Sequence, residues 1–205
     1  MKKKKFITVA IDSEASAGGG TQAKLISKHY NLYYLDTGKI YRYIAYLKKK
    51  NPKKFNYNFI KKKIKNIKIS HLTKKNLLSE EIGLVASQIA KKLKIRKLVH
   101  KFQIDCAYSP PKRFSGSCLD GRDITTIILP DAMFKFFISA NINIRSKRRY
   151  LELRKYNKTV SIENVRKSIE SRDKNDYERK YSPLKRTKDQ VLINSSNLSK
   201  RSCFL

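Results

Sequence analysis

The sequence predicts an α/β protein with a doubly wound parallel sheet, in which helices cover both faces of the sheet. An almost continuously apolar run, Phe6–Ile11, is followed by a loop that ends in three glycines and by a helical segment that begins at Thr21. Strands and helices alternate from there, and polar residues stand where several strands end. Strands that are buried on both faces and alternate with helices are typical of this fold class.

The composition fits one globular domain with an unusually strong positive charge. The chain has 205 residues, a formal net charge of +32 and 40% apolar residues. Its three cysteines, Cys106, Cys118 and Cys203, are widely spaced, which argues against a disulfide framework or a zinc site and favours a reducing cytoplasm. The charge has three interpretations: a nucleic-acid surface, a site for small polyphosphates, or lysine-rich solvated faces without a partner.

We expect a cytoplasmic protein without a membrane segment. The basic residues 1–5 resemble the start of a secretory leader, but only about six apolar residues separate them from Asp12, which is too short for a leader. No stretch approaches the roughly 18 apolar residues of a membrane span.

The first half of the chain predicts two strand–helix pairs. Strand Phe6–Ile11 leads through the glycine loop to helix Thr21–Tyr30. Strand Asn31–Leu35 leads to helix Lys39–Lys50, which carries Ile40, Ile44 and Leu47 on one stripe and ends at Asn51-Pro52.

A lysine-rich surface segment over 53–75 is then predicted as an insertion. Ser79, with two acidic residues behind it, predicts the start of a helix that runs to Lys92, and a further helix spans Ile95 to about Ala107. Ser87 is expected to face away from the apolar stripe of the first of these helices.

The second half predicts three strands and two helices, with a polar mobile loop between the last helix and the last strand. In order these are strands Cys118–Asp120 and Met133–Ile138, a helix from Asn141 or Asn143 to about Lys155, helix Ile162–Arg172 capped by Ser161, the loop Asp173–Pro183, and strand Gln190–Ile193.

Polar residues at three strand ends predict a nucleotide site. Ser13–Thr21, Asp36-Thr37 and Asp120–Asp123 follow successive strands, and the carboxyl ends of parallel strands meet at one edge of a sheet. Each of the three alone is better explained by an ordinary turn, but together three polar strand ends in these places favour a site. The loop departs from a standard phosphate loop, because no Lys precedes its hydroxyl residue.

Arginine placement supports this site, since the planar guanidinium suits phosphate oxygens better than lysine does. Several arginines fall in or beside a region near 145–182 that we interpret as a lid over the transferring group. Arg145 and Arg149 are equally well interpreted as surface arginines. The arginines considered are Arg42, Arg96, Arg122, Arg145, Arg148, Arg149, Arg172 and Arg179.

Seven segments carry a family resemblance, and they follow one another along most of the chain. They read VAIDSEASAGGGT, YLDTGKIYR, SEEIGLVASQIA, IRKLVHKFQ, LDGRDITTIILPDA, RSKRRYLEL and ESRDKNDYERKYSPL. In these segments the chain resembles bacterial cytidylate kinase, a nucleoside monophosphate kinase that transfers a phosphoryl group from ATP to CMP or dCMP. The resemblance implies a P-loop NTPase-type parallel sheet with helices on both faces, an inserted NMP-binding region and a helical lid.

The resemblance also implies an organisation and a set of partners. A single kinase domain would span 1–205, with a core over about 1–51 and 108–205, the inserted region over about 52–107 and the lid over about 155–183. The partners would be ATP and CMP or dCMP, with Mg²⁺ accompanying ATP. We expect no specific nucleic acid, no membrane and a monomer.

The resemblance also implies which residues form the site, because each family position can be matched to a residue of this chain. The ATP phosphate loop would be Ser13, Glu14, Ala15, Ser16, Ala17, Gly18, Gly19, Gly20 and Thr21, with the Thr21 hydroxyl on Mg²⁺. Thr37 and Arg42 would contact the CMP phosphate. The full CMP site would be Asp36, Thr37, Arg42, Ser87, Arg96, Asp120, Arg122, Asp123, Arg172, Asp176 and Arg179.

Roles within the site follow the same resemblance. Ser87, Arg96 and Asp120 would read the cytosine ring, and Arg172 and Asp176 would lie near the sugar. The catalytic arginines would be Arg148, Arg172 and Arg179, of which Arg148 and Arg179 would belong to the lid.

The chain departs from the family pattern at several places. Ser13, Glu14 and Gly19 replace the first Gly, the Pro and the Lys of the loop, and Glu14 places a negative charge beside the phosphate cradle. Leu78 replaces an Arg, and the closing helix is expected to be missing or short after Ser199.

Three hypotheses therefore stand. The first is an active kinase in which another positive group replaces the loop lysine. The second is a nucleotide-binding homologue that has lost transferase activity. The third is a nucleic-acid-binding protein, for which the sequence offers no basic motif interleaved with aromatic residues.

Overall fold

A five-stranded parallel sheet organises the computed structural model, which describes residues 6–156 and 158–205. Residues 1–5, which the sequence analysis compared with a leader, lie outside the described residues. The strand order is β2-β3-β1-β4-β5, and all four neighbouring pairs are parallel. The strands are β1 (Ile7–Ser13), β2 (Tyr33–Asp36), β3 (Gly116–Gly121), β4 (Phe134–Ser139) and β5 (Val191–Asn194).

Helices cover both faces of this sheet, which confirms the predicted fold class. The larger buried cluster packs α2 and the helices inserted between β2 and β3 against one face, and a second cluster packs α1 against the other. The helices are α1 (Gly19–His29), α2 (Gly38–Lys50), α3 (Tyr57–Lys65), α4 (Ile69–Leu72), α5 (Glu80–Ile89), α6 (Leu93–Tyr108), α7 (Ile142–Arg154), α8 (Ile162–Glu178) and α9 (Lys200–Phe204). In the part of the chain that the structure describes, no helix is both long enough and apolar enough to cross a membrane.

The predicted loop over Asp173–Pro183 is wrong for its first half, because α8 continues to Glu178. Asp173 and Asp176 are buried in this helix and form ion pairs with arginines of other elements. These tertiary contacts hold a sequence with little apolar character in a helix. These contacts cannot be predicted from the periodicity of the sequence.

The lysine-rich segment over 53–75 is also more structured than predicted. It contains α3 and α4, and Ile60, Ile64 and Leu72 are buried in the larger core. The lysines of α3 remain exposed, as expected for a solvated face.

The last helix of the described chain, α9, lies directly before the last residue, Leu205. The five residues of α9 pack against α1, where the rings of His29 and Phe204 meet edge to face at 5.5 Å between centroids. The edge strand β5 keeps Val191 and Leu192 exposed at 58% and 45%. Part of the apolar surface of this edge strand is therefore uncovered.

Asp12 in β1 fixes the relative positions of the strand ends that carry the site. Its fully buried carboxylate accepts hydrogen bonds from the backbone N–H groups of Ile124 and Thr125 at 2.8 and 3.1 Å. It also accepts from the Thr125 hydroxyl at 2.5 Å and from Gln190 Nε2 at 3.3 Å. Burial raises the pKa of Asp12 to about 6, although these hydrogen bonds favour the ionised form. One side chain thus joins β1, the turn after β3 and the approach to β5.

We expect Asp12→Ala to destabilise the fold by about 3 kcal/mol, because it leaves two buried N–H groups without a partner. Urea unfolding measures this loss. The control is Asp105→Ala on the exposed side of α6, which should change stability by less than about 0.5 kcal/mol. Equal effects of the two substitutions would show that Asp12 does not hold the strand ends.

Candidate active site

One cleft of about 830 Å³ lies at the carboxyl ends of the strands and collects nearly all predicted site residues. Only Ala15 among them lies behind its wall, fully buried, with its N–H donating to Asp173 Oδ1 at 2.9 Å. The three polar strand ends therefore converge as predicted. The inserted helix α5 and the helices α7 and α8 complete the walls.

The loop over 13–21 has the backbone of an anion cradle. Ser16 and Gly18 adopt left-handed conformations, with φ of 62° and 104°, and α1 begins directly after them at Gly19. Among the described residues, no hydrogen bond partner is found for the N–H groups of Gly18, Gly19 and Gly20. Free N–H groups at a helix N-terminus bind anions, so the loop can hold a phosphate without a lysine.

Glu14 does not disturb this cradle, contrary to the expectation from its charge. Its carboxylate turns away from the loop and accepts from the Tyr177 hydroxyl at 3.2 Å and from Ala140 N at 3.3 Å. Arg145 Nε lies 3.7 Å from it and compensates the charge. Arg145 also donates to the Ala15 carbonyl at 3.1 Å and is 6% exposed, so its interpretation as a surface arginine is wrong.

Arg149 is likewise buried and structural. It bonds Glu80, whose other carboxylate oxygen accepts from the Ser168 hydroxyl at 2.6 Å, and it donates to the Leu78 carbonyl. Burial alone would raise the pKa of Glu80, but Arg149 and Ser168 hold it below its usual range. This cluster fixes α5 of the inserted region against α7 and α8.

One end of the cleft is lined by arginines that are paired with aspartates. Arg96 bonds Asp123 in a buried ion pair, and Arg179 lies 3.8 Å from the same carboxylate. Asp176 pairs with Arg122 at 2.8 Å and with Arg179 at 3.3 Å. Donors and acceptors thus alternate over a surface with little net charge, which suits a neutral polar ring.

Ser87 lines the same end of the cleft. It is 8% exposed, and its hydroxyl donates to the Leu84 carbonyl at 2.8 Å and accepts from Asn175 at 3.2 Å. It faces away from the apolar stripe of α5, as predicted, and the neighbouring α8 buries it.

Arg42 and Arg172 differ from these pairs because neither has a carboxylate partner among the described residues. Arg42 donates to two backbone carbonyl groups before α5, at 2.7 and 3.1 Å. Within the described chain, Arg172 makes no hydrogen bond or ion pair in this structure. Burial and the nearby charges of Arg172 and Arg149 lower the pKa of Arg42 to about 9, and burial and Arg122 lower that of Arg172. A bound anion would relieve this repulsion.

Arg148 brings a positive charge to the phosphate loop through Ser195. Its guanidinium donates to the Ser195 hydroxyl at 3.0 Å and to the Ser195 and Leu198 carbonyls at 2.6 and 3.2 Å. The Ser195 hydroxyl in turn donates to the carbonyl of Ala17 in the loop at 2.8 Å. Ser195 was not among the predicted site residues; its position directly after the last predicted strand was the one available signal.

Asp120, which the resemblance assigns to the cytosine ring, lies beside Gly20 of the phosphate loop. A Cβ built on Gly20 would lie 3.2 Å from its Oδ2 and 3.5 Å from the Tyr34 hydroxyl. Its buried Oδ1 has no hydrogen-bond partner in the described structure. Burial and the nearby Asp36 raise the pKa of Asp120, so a cation would stabilise this pair of carboxylates.

Comparisons with known proteins agree with this geometry. The family model described as cytidylate kinase matches residues 9–203. A cytidylate kinase of Bartonella tribocorum is 40% identical over 98% of this chain and 92% of its own length. The cytidylate kinases of Thermosipho melanesiensis and Clostridium tetani are 38% and 39% identical, each over 93% of this chain and over 90% and 87% of their own lengths.

We expect orthophosphate to raise the melting temperature of the protein at constant ionic strength, because it relieves the repulsion between Arg42 and Arg172. Arg172→Met should lose most of this increase. Arg166→Met on the exposed side of the same helix is the control and should retain it. Scanning calorimetry with and without phosphate measures the shifts, and an unchanged shift in Arg172→Met would contradict the assignment of an anion site.

Proposed function

The chain belongs to the cytidylate kinase family, and on this premise we propose how its cleft transfers the γ-phosphoryl group of ATP to CMP or dCMP, giving ADP and CDP or dCDP. The observation that carries the proposal is the arrangement of anion sites in one cleft. Free N–H groups of the phosphate loop lie at one place, and the unpaired Arg42 and Arg172 lie at another. Two phosphorylated ligands can therefore bind at the same time.

The glycine loop would hold the β- and γ-phosphates of ATP. Arg42 and Arg172 would hold the phosphate of CMP, and Thr37 lies on the same wall with its hydroxyl donating to the Asp120 carbonyl at 2.9 Å. Arg148 has no carboxylate partner in the part of the chain that the structure describes, and it is linked to the loop through Ser195. It would stabilise the charge of the transferring group.

Base recognition would fall to the end of the cleft with paired charges. Cytosine offers an amino donor beside two acceptors on one edge. The Asp123 carboxylate can accept from the amino group, and Arg96 can donate to the acceptors, while Ser87 lines the same end of the cleft. Because Arg96 and Asp123 are already bonded to each other, these two side chains are held in place before the nucleotide binds. Arg122, Asp176 and Arg179 would position the sugar.

The oxygen ligands at the loop fit Mg²⁺. The Asp120 Oδ1 has no hydrogen-bond partner in the described structure, and its pKa is raised by burial and by Asp36. Oxygen ligands of this kind are the ones that Mg²⁺ prefers. Thr21 would hold the ion, with Asp36 and Asp120 nearby, and the ion would neutralise phosphate charge when ATP is bound.

The transfer itself requires positioning and charge stabilisation by this chain's residues. An oxygen of the CMP phosphate forms the new bond to the γ-phosphorus while the bond to the ADP oxygen breaks. Arg172 and Arg148 would contact the phosphoryl group while it is transferred. Arg179 is 5% exposed and is held by Asp176. It would position the sugar of CMP.

The other hypotheses from the sequence receive less support. Family membership and the unpaired arginines favour a working kinase over a homologue that has lost activity. The partly buried basic cleft suits a small phosphorylated ligand rather than a polynucleotide. The division into core, inserted region and lid, the monomeric state, and a cytoplasmic role in pyrimidine metabolism belong to the same proposal.

We expect a coupled ADP-release assay with ATP and Mg²⁺ to show turnover with CMP and dCMP and at least about 100-fold lower kcat/KM with AMP and GMP, because purines present a different edge to Arg96 and Asp123. Equal rates across the panel would contradict the assigned base site.

Arg148→Met should lower kcat about 100-fold or more, since it removes a charge at the transferring group. Its exposed neighbour Lys147→Met is the matched control and should retain kcat. Steady-state kinetics with both substrates saturating measure the two variants. A normal kcat in Arg148→Met would remove this arginine from the transfer step.

A further inference from the structure

Ser13 and Gly19 face each other across the phosphate loop, Ser13 as the last residue of β1 and Gly19 as the first residue of α1. A Cβ built on Gly19 would lie 2.4 Å from Ser13 Oγ and 2.7 Å from Ser13 Cβ. Real Cβ atoms essentially never approach another atom below 3.0 Å. With Ser13 in place, residue 19 has no room for a side chain.

A rotamer change of Ser13 does not relieve this conflict. It moves Oγ, but Cβ is fixed to the backbone of β1 and remains too close. Ser13 is 4% exposed, and β1 is paired with β3 and β4 on its two sides. The backbone at Ser13 therefore has little freedom to withdraw.

The two positions depart from the phosphate-loop pattern in opposite directions. The pattern has a side-chain-free first residue and a lysine shortly before the hydroxyl residue. This chain adds a side chain at the first position and removes one at the second. In both arrangements one of the two positions carries a side chain, but in this chain the positive charge is lost.

We propose that Ser13 and Gly19 form a compensated pair that determines which charge the active site uses. The Ser13 side chain fills the volume from which a side chain at residue 19 would start, so the loop keeps its shape. The positive charge then comes from another element, and Arg148 is the arginine tied to the loop through Ser195. Ser13 is a positioning residue in this arrangement.

The hydroxyl of Ser13 gives the pair a second role. Within the described chain it makes no hydrogen bond, and the residue lines the cleft. It is the polar group that the pair presents to a nucleotide phosphate. This second role rests on the proposed function, whereas the steric coupling of the two residues does not.

The coupling is tested in the free protein by a double-mutant cycle on melting temperature. Gly19→Ala should lower Tm by about 5 °C or more, as overpacking does. In the Ser13→Gly background the same substitution should lower Tm by much less. The control cycle pairs Ser13→Gly with Gly18→Ala, whose added Cβ meets nothing within 4 Å and whose effect comes from a φ of 104°, so that cycle should be additive. An additive Gly19 cycle would overturn the compensated pair whatever the catalytic activity.

The kinase assay tests the consequence for charge. Gly19→Lys alone should have a lower kcat/KM for ATP than the parent chain, and Ser13→Gly/Gly19→Lys should exceed Gly19→Lys by about tenfold or more. In the double variant, Arg148→Met should reduce kcat less than it does in the parent. Gly19→Lys with parental Tm and higher activity than the parent would show that residue 19 accepts a side chain and would overturn the proposal. Absence of turnover in the parent, with a coupled Tm cycle, would count against the proposed function alone.

Discussion

The pairing of buried arginines with buried aspartates decides which charges of the cleft remain for a ligand. Asp123 and Asp176 take up Arg96, Arg122 and Arg179, so that this part of the wall is polar but nearly neutral. Within residues 6–156 and 158–205, Arg42 and Arg172 form no ion pair with a carboxylate. Because an unpaired charge that is partly withdrawn from water is unfavourable, a bound anion would stabilise these two arginines.

Buried polar and charged side chains also hold the backbone of the phosphate loop in place. Asp173 binds the N–H of Ala15, and Arg145 binds its carbonyl while pairing with Asp173. Ser195 binds the carbonyl of Ala17 on the other side. Helices α7 and α8 and the segment after β5 therefore fix the backbone of the loop, while its glycine N–H groups stay free. The loop binds through its backbone, and the charge comes from the elements that support it.

Much of the fold could be predicted because its determinants are local. The strands β1 and β4 are almost continuously apolar, and Ser79, Asn141 and Ser161 cap the helices that follow them. The site residues could be placed in one cleft because they follow strand ends or carry a family resemblance.

What could not be predicted depends on partners far away in sequence. The last turns of α8 are polar and are held by Asp176 and Asp173, whose arginine partners lie about 30 to 50 residues earlier. Glu14 was expected to oppose a phosphate, but Arg145 and Tyr177 draw it away. The contact between Ser13 and Gly19 required coordinates, since nothing in the sequence shows that these two positions exclude each other.

A chain without the loop lysine that still transfers a phosphoryl group needs positive charge from other elements of the cleft, and we assign that charge to Arg148. The most direct measurement is a single-turnover quench experiment, with the protein in excess over ATP labelled at the γ-phosphate, in the presence of Mg²⁺ and CMP. We expect the label to appear in CDP within seconds, since kinases commonly turn over at about 1–100 per second. Bound ATP and bound CMP with no labelled CDP after an hour would contradict an arginine-based transfer and leave a nucleotide-binding protein without kinase activity.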